Sequence, residues 1–447
     1  MMAESVQNPE RGSQPTKAFR RDGLGWLYEP PGTQVRLHVD YLRPHQDELT
    51  GEVTIQASLP GVAAHLHQAR LNMTSTTART TLIKHLTGLT DKVSWAKLVE
   101  QFCVAVIRQE REGEPFEFAG RRPARLRPPD VVERLIPSGK PTQLYGPGGV
   151  GKGILATGIS VSVETGLPFA GLSVAKGRTL YLDWEDDVDE FDGRIKMVSR
   201  GVGIDPPEIA YRAMRSTLRS QIHQIASYVQ DHGITLLVVD SVELASGSVG
   251  DRGTYEELAK SFFLALRQIG PVTVLLIDHV SDAARQNKGE VNKAYGSVFK
   301  GNWVRNAWEV KKDQEAGAQR SMIGLYHYKS NVGGLYQTIG MLLDFSAPGS
   351  VVISREDVSD SDTLSKALPK HEQVARLLRF GPMSQYDICQ QVEGLTEAYL
   401  RTDLARRKER FQRLADGRWA LVAHEPRHHQ VPATDDFDED GIERLGF

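Results

Sequence analysis

The sequence predicts an α/β protein with a mainly parallel sheet at its centre. A small α+β domain precedes that sheet, and three helices with a β-wing follow it. Three observations predict this. A glycine-rich turn, GPGGVGKG at 146–153, stands between an apolar strand and a helix start. Three more apolar runs, RTLYLDWEDD (178–187), ITLLVVDSV (234–242) and PVTVLLIDHVSD (271–282), end in acids with amphipathic stretches between them, the alternation of a parallel sheet with crossover helices. At 447 residues the chain is too long for one ordinary core, so two or three domains are expected.

Residues 1–19 are a polar lead rich in Gly, Pro, Ser and Gln, expected to be flexible. Residues 20–120 form the first domain. From Gly23 to about Leu59 the runs GWLYE, QVRLHVDYL and GEVTIQASL alternate and are broken by turns, which predicts a small antiparallel sheet. TTLIKHLTGL and SWAKLVEQFCVAVIRQ then carry apolar residues at helical spacing, with Ser94 as N-cap. This domain shows no chemistry and reads as an interaction module or an inert lid. RRPARLRPPD (121–130) is a linker that its prolines keep from being helical. The α/β core spans 131–356, its strands and helices alternating from Thr142 to about Tyr328. At 364–423 lie HEQVARLLRF, SQYDICQQV, TEAYLRTDLARRKERF and a hairpin around Asp416-Gly417, the layout of a winged helix. The end, 424–447, is acidic and expected to be disordered.

Composition narrows the classes. The chain is 40% hydrophobic and 25% charged, with a formal charge of −3, as in a soluble globular protein. Its two cysteines, Cys103 and Cys389, exclude a disulfide framework or a four-cysteine zinc site and fit a reducing cytoplasm. No apolar N-terminal core and no run near the roughly 18–20 apolar residues of a membrane span are present, so a cytoplasmic protein without a membrane partner is expected.

Gly146, Gly151 and Lys152 fall on phosphate-loop spacing. Glycines let the backbone curl so that N–H groups point at phosphate oxygens. The following helix N-terminus adds its dipole, and Lys152 neutralises the terminal phosphates. The expected nucleotide-binding set is Gly146, Gly148, Gly149, Val150, Gly151, Lys152, Gly153 and Ile154, and ATP is the expected ligand. One position departs from the pattern. Gly153 stands where a Ser or Thr hydroxyl would meet Mg²⁺, and Thr157 and Ser160 lie too far down the helix to replace it. Mg²⁺ would then be held by water and the acid of a neighbouring strand, so nucleotide binding is a firmer expectation than fast hydrolysis.

Glu185 lies just past its strand, where a base can orient the water attacking a γ-phosphate; Asp183, Asp186 and Asp187 compete for the role. Asp240 ends an apolar strand at the carboxyl edge of the sheet, the position of a Mg²⁺-side acid. Asp278 and His279 end the next, where a histidine can contact the γ-phosphate or be an ordinary strand-end residue.

From about Pro141 to Asn331 the chain resembles the RecA-like ATPases of the RepA-type hexameric helicase group, on GPGGVGKG, GRTLYLDWEDDVDEFDGRI, LLVVDSV, LLIDHVSD, AYGSVFKGNWVRNAW and HYKSNVGG. The resemblance implies that Lys152 and Gly148 to Gly151 hold phosphates, Glu185 is the catalytic base and Asp240 serves Mg²⁺. It also implies that His279 couples the γ-phosphate to DNA-facing loops. Arg305 or Lys329 would reach a neighbouring subunit's site as a trans-acting finger. The glycine-containing stretches 247–258 and 281–297 would line a ring's channel. There Arg285, Lys288 and Lys293 would track a nucleic-acid backbone, or else sit on a solvated surface loop.

Between Leu364 and Ala423 there are 11 Lys and Arg against 7 Asp and Glu. The cations cluster at Arg401, Arg406, Arg407, Lys408, Arg410 and Arg413, and on a recognition helix they would face phosphates. Interleaved Asp403 and Glu409 fit a solvated face instead, and winged helices also bind proteins. The expectation is an ATP-driven, ring-forming DNA helicase or translocase, a homo-oligomer and plausibly a hexamer, acting mostly on single-stranded DNA with replication partner proteins. The alternative is a nucleotide-gated binding, loading or regulatory factor that hydrolyses slowly or not at all.

Overall fold

The computed structural model describes residues 18–113, 116, 118, 120, 128–247, 254–279, 303–331 and 333–422. Most of the lead, most of the 121–130 linker, the loop residues Arg285, Lys288 and Lys293, and the acidic tail lie outside them. The chain divides into two compact units, 1–358 and 359–447.

The first unit opens with an antiparallel sheet of β1 (Phe19–Asp22), β2 (Gly25–Tyr28), β3 (Val35–His45), β4 (Glu48–Ala57) and β5 (His65–Asn72), paired in chain order. Alternation sets its faces: Leu49, Val53, Ile55 and Ala57 of β4 all turn inward. The fifth strand lies beyond the run legible in the sequence, because only Leu66 and Leu71 of its eight residues are buried apolar groups. Two helices, α1 (Thr76–Leu89) and α2 (Trp95–Glu112), supply Leu82, Leu86, Trp95, Leu98, Phe102 and Val106 to the same core. Ser75 caps α1 by accepting from the Ala78 amide at 3.3 Å. Ser94 holds the N-cap position of α2 without a side-chain capping bond.

The nine-stranded sheet of this unit is the predicted core. Its strands are β6 (Thr142–Gly146), β7 (Thr179–Asp183), β8 (Ala210–Ala213), β9 (Leu236–Asp240), β10 (Thr273–His279), β11 (Asn306–Asp313), β12 (Arg320–Ser330), β13 (Ile339–Asp344) and β14 (Val352–Arg355). Their spatial order is β14-β13-β12-β11-β6-β10-β9-β7-β8. From β11 to β8 all pairs are parallel. The fully buried runs TLYLD and LLVVD are the continuous apolar strands such a sheet needs. The main helices of this region are α3 (Lys152–Thr165), α4 (Val188–Val202), α5 (Ile222–Asp231), the short α6 (Val242–Ser246) and α7 (Tyr255–Gln268).

Beyond β11 the strand–helix alternation expected up to Tyr328 gives way to an antiparallel meander, β11 to β14. Only residues 314–319 join β11 to β12, and a parallel crossover needs about a dozen residues or more.

The second unit contains α8 (Asp362–Lys366), α9 (Lys370–Leu378), α10 (Gln385–Gln391) and α11 (Glu397–Arg406), followed by the hairpin β15 (Phe411–Arg413) and β16 (Trp419–Leu421). Val374, Leu378, Ile388, Leu400, Leu404, Phe411 and Trp419 form its core. The helix expected over TEAYLRTDLARRKERF stops at Arg406. After buried Leu404 the helical positions one turn on are Arg407 and Lys408, so no apolar group holds a further turn, and the next anchor, Phe411, is buried from a strand.

Candidate functional site

Parallel packing brings four predicted positions to one edge of the sheet. Asp183 is in register with Asp240, and His279 with Gly146. That carboxyl edge is where open α/β sheets bind ligands.

The phosphate loop leaves β6 at Gly146. A Cβ there would lie 2.4 Å from the Val310 carbonyl oxygen, so only glycine lets β11 pass this closely. Gly151 begins α3 at φ 94°, a left-handed turn that other residues rarely adopt. Gly148 and Gly149 are exposed, Val150 is buried, and Gly153 and Ile154 are half-buried on the first turn of α3. Lys152 is buried, and its Nζ donates to the carbonyls of Gly146 at 2.9 Å and Pro147 at 2.8 Å. The ammonium is thus held over the mouth of the loop. Lys312, which the sequence reading missed, braces the loop from β11 by donating to the Gly149 carbonyl at 3.3 Å.

The acids after β7 separate by role. Asp183 is buried and accepts from the amides of Glu185 and Asp186, both at 3.0 Å, folding the turn. Asp187 caps α4 by accepting from the Asp189 and Glu190 amides. Asp186 pairs with Arg194 at 2.8 Å. Glu185 faces the site instead, its Oε1 lying 3.0 Å from His279 Nε2. That contact first, and then the Lys152 charge, hold its carboxyl down at about 2 against the opposing effect of burial. It is therefore a carboxylate throughout the neutral range. His279 itself is steadied from behind, where buried Asp278 accepts from Gln143 Nε2 at 2.8 Å and ties β10 to β6.

Asp240 ends β9, buried, and accepts from the Tyr181 hydroxyl at 2.6 Å. Burial pushes its carboxyl up to about 6, against that hydrogen bond. Beside it, a Cβ at position 153 would stand 3.2 Å from Arg194 Nη1 and 3.8 Å from Asp240 Oδ2. The space next to Gly153 thus borders a guanidinium. A Mg²⁺ ion fits these residues poorly. The loop offers no hydroxyl, one carboxylate oxygen of Asp240 is engaged by a phenol, and Arg194 brings positive charge to the place of the ion. Among the described residues no three His, Cys, Asp or Glu side chains gather as a metal-holding group.

Arg305 and Lys329 lie elsewhere. The Arg305 amide donates to the Pro141 carbonyl, ahead of β6, and Lys329 pairs in register with Ala307. Both are toward the amino edge of the sheet: Arg305 is level with Pro141 and Lys329 with Gln143, about 16 and about 10 Å along β6 from Gly146 at some 3.3 Å per residue. They do not join the site of their own chain. In the second unit, Arg406 ends α11, Arg407 pairs with Asp403 at 3.4 Å, and Lys408 and Arg410 follow in the turn. Arg406 and Lys408 are exposed, whereas Arg410 is half-buried against Phe411. The basic residues therefore do not form one helical face.

The family described as AAA domain matches residues 108–285, a stretch that includes the phosphate loop and the three acid-ended strands. The core is a P-loop ATPase domain of the RecA-like class. No curated protein matches the chain. Within the ATPase domain, Glu185 meets His279 at the carboxyl edge of the sheet, with Lys152 and Asp240 near enough for their charges to act on it or be acted on by it. Arg194, Tyr181 and Lys312 are additions that only the packing reveals. No described helix is long and apolar enough to cross a membrane.

Proposed function

We propose that the chain is an ATP-driven, ring-forming DNA translocase of the helicase type, serving replication or repair. The observation that carries this reading is the Glu185–His279 contact at 3.0 Å. It joins a water-orienting base to the last described residue of β10, and the basic segment with Arg285, Lys288 and Lys293 follows directly in sequence. The loop amides and Lys152 hold the phosphates. The Glu185 carboxylate orients the attacking water, and His279 turns from Glu185 to the γ-phosphate when one is present. Loss of that phosphate returns His279 to Glu185. Arg305 or Lys329 completes a neighbour's site in a ring, and the second unit is a winged helix that contacts DNA through phosphates. Single-stranded DNA is the polymer this backbone-tracking chemistry suits best.

Steady-state ATP hydrolysis, with and without single-stranded DNA and with Lys152→Ala as control, tests the reading. A DNA-stimulated rate abolished in the control supports the motor. Tight ATP binding without DNA-stimulated turnover overturns it. It would leave a nucleotide-gated DNA-binding or loading factor, the reading that Gly153 favours.

A further inference from the structure

The position that departs from the phosphate-loop pattern has a partner in space. Arg194 projects from α4 toward Gly153, 41 residues away in sequence, and its guanidinium Nη1 lies 3.2 Å from where a Cβ at 153 would be. Even a serine there would press on it. Two acids aim the group: Nη1 donates to Asp186 Oδ2 at 2.8 Å and Nη2 to Asp183 Oδ2 at 3.3 Å. A guanidinium carries five N–H donors, so these bonds leave donors to spare. One of them, Nε, is buried without a hydrogen-bond partner among the described residues. The side chain is only 17% exposed. Burial works against its charge, but Tyr181, Asp186, Asp183 and Asp240 around it raise its pKa overall. The result is a fixed, permanently charged fork of donors beside a loop built for phosphate.

We infer that Arg194 is the resident cation of this phosphate site, standing where a hydroxyl-held divalent ion would otherwise lie, so that nucleoside di- and triphosphates bind without one. The inference rests on the reading of 146–153 as a nucleotide site. It explains two oddities together: the missing hydroxyl makes room for the guanidinium, and the guanidinium supplies charge that the missing hydroxyl can no longer recruit. Arginine suits the place because its planar fork pairs with phosphate oxygens and stays charged. Asp183 and Asp186 act as its positioning residues.

The test is equilibrium binding of ATP and ADP to the full chain, with Mg²⁺ and with excess EDTA. It compares wild type, Arg194→Ala, Arg194→Lys, Lys152→Ala and the pair Gly153→Ser with Arg194→Ala. Wild-type affinity is expected to change by less than about threefold on chelation. Arg194→Ala should weaken binding in EDTA by about 10- to 100-fold, the worth of one or two charge-assisted hydrogen bonds. In the pair, binding should become metal-dependent. Thermal melts check that each variant folds; where Arg194→Ala does not, Arg194→Lys and the wild-type chelation comparison decide. Wild-type binding that collapses in EDTA, with Lys152→Ala still abolishing it in Mg²⁺, overturns the role of Arg194 and keeps the nucleotide site. No nucleotide binding by wild type under either condition overturns both.

Discussion

At the scale of single residues, the site is organised by what each acid is already doing. Asp183 folds a turn, Asp187 caps a helix and Asp186 holds Arg194, so Glu185 is the carboxylate of the four that faces the histidine across the edge of the sheet. Glu185→Gln should retain ATP binding and lose hydrolysis by about 10²-fold or more, measured by equilibrium binding beside steady-state turnover. If the variant turns over at the wild-type rate, Glu185 is not the base. The residues alone left Asp183, Asp186 and Asp187 competing with Glu185, and the resemblance singled out Glu185; what occupies the other three is not legible in sequence, because it depends on which backbone amides and guanidinium they engage. Lys152 was legible from spacing alone. Arg194 and Lys312 were not, because the first meets Gly153 through helix packing and the second meets Gly149 through strand pairing. Nothing local to either residue announces the contact.

At the scale of elements, β12 carries a histidine that the site does not use. His327 lies between Trp308 and Tyr336 as a stack of rings. Its Nδ1 accepts from the Tyr336 amide at 2.8 Å, and its Nε2 is 2.7 Å from Asn306 Oδ1. With Nδ1 accepting, Nε2 carries the proton and the ring is neutral. Burial holds its pKa down at about 4, below an unfolded value near 6.5. Between those values the unfolded chain takes up the proton and the folded chain does not, so stability rises with pH across the window and is lost on acidification from about 6.5 toward 4. The loss should be on the order of 2–3 kcal/mol. Denaturant melts at several pH values should show it, with a flatter slope in His327→Gln; equal slopes would remove this account. The buried parallel strands were easy to read because their apolar runs are continuous. The meander beyond β11, the weakly apolar β5 and the early end of α11 were not. Each depends on a turn length or a missing anchor rather than on periodicity.

At the scale of the whole molecule, two compact units carry different chemistry, with the nucleotide site in the first and the basic cluster in the second. Exposed Arg401, Arg406 and Lys408 are the cations of that cluster best placed for phosphate contact. Replacing all three with alanine in the full chain should weaken single-strand binding at every sequence alike. It should also lower the slope of log affinity against log salt by about 2, at roughly 0.7 per phosphate contact. Titrations at several salt concentrations measure it, and an unchanged slope would assign the cluster to solvent or to a protein partner. The division into a nucleotide core and a basic helical end was legible from composition. The geometry of the basic residues was not, since the turn after Arg406 spreads them over helix end, loop and the end of β15. One strand also works as a ruler. Arg305 precedes β11 at one edge of the sheet, and Lys312 near its other end braces the phosphate loop. The rigid span between them exceeds the reach of any side chain, so Arg305 cannot touch phosphates held in the loop of its own chain, and any phosphate it meets is held elsewhere.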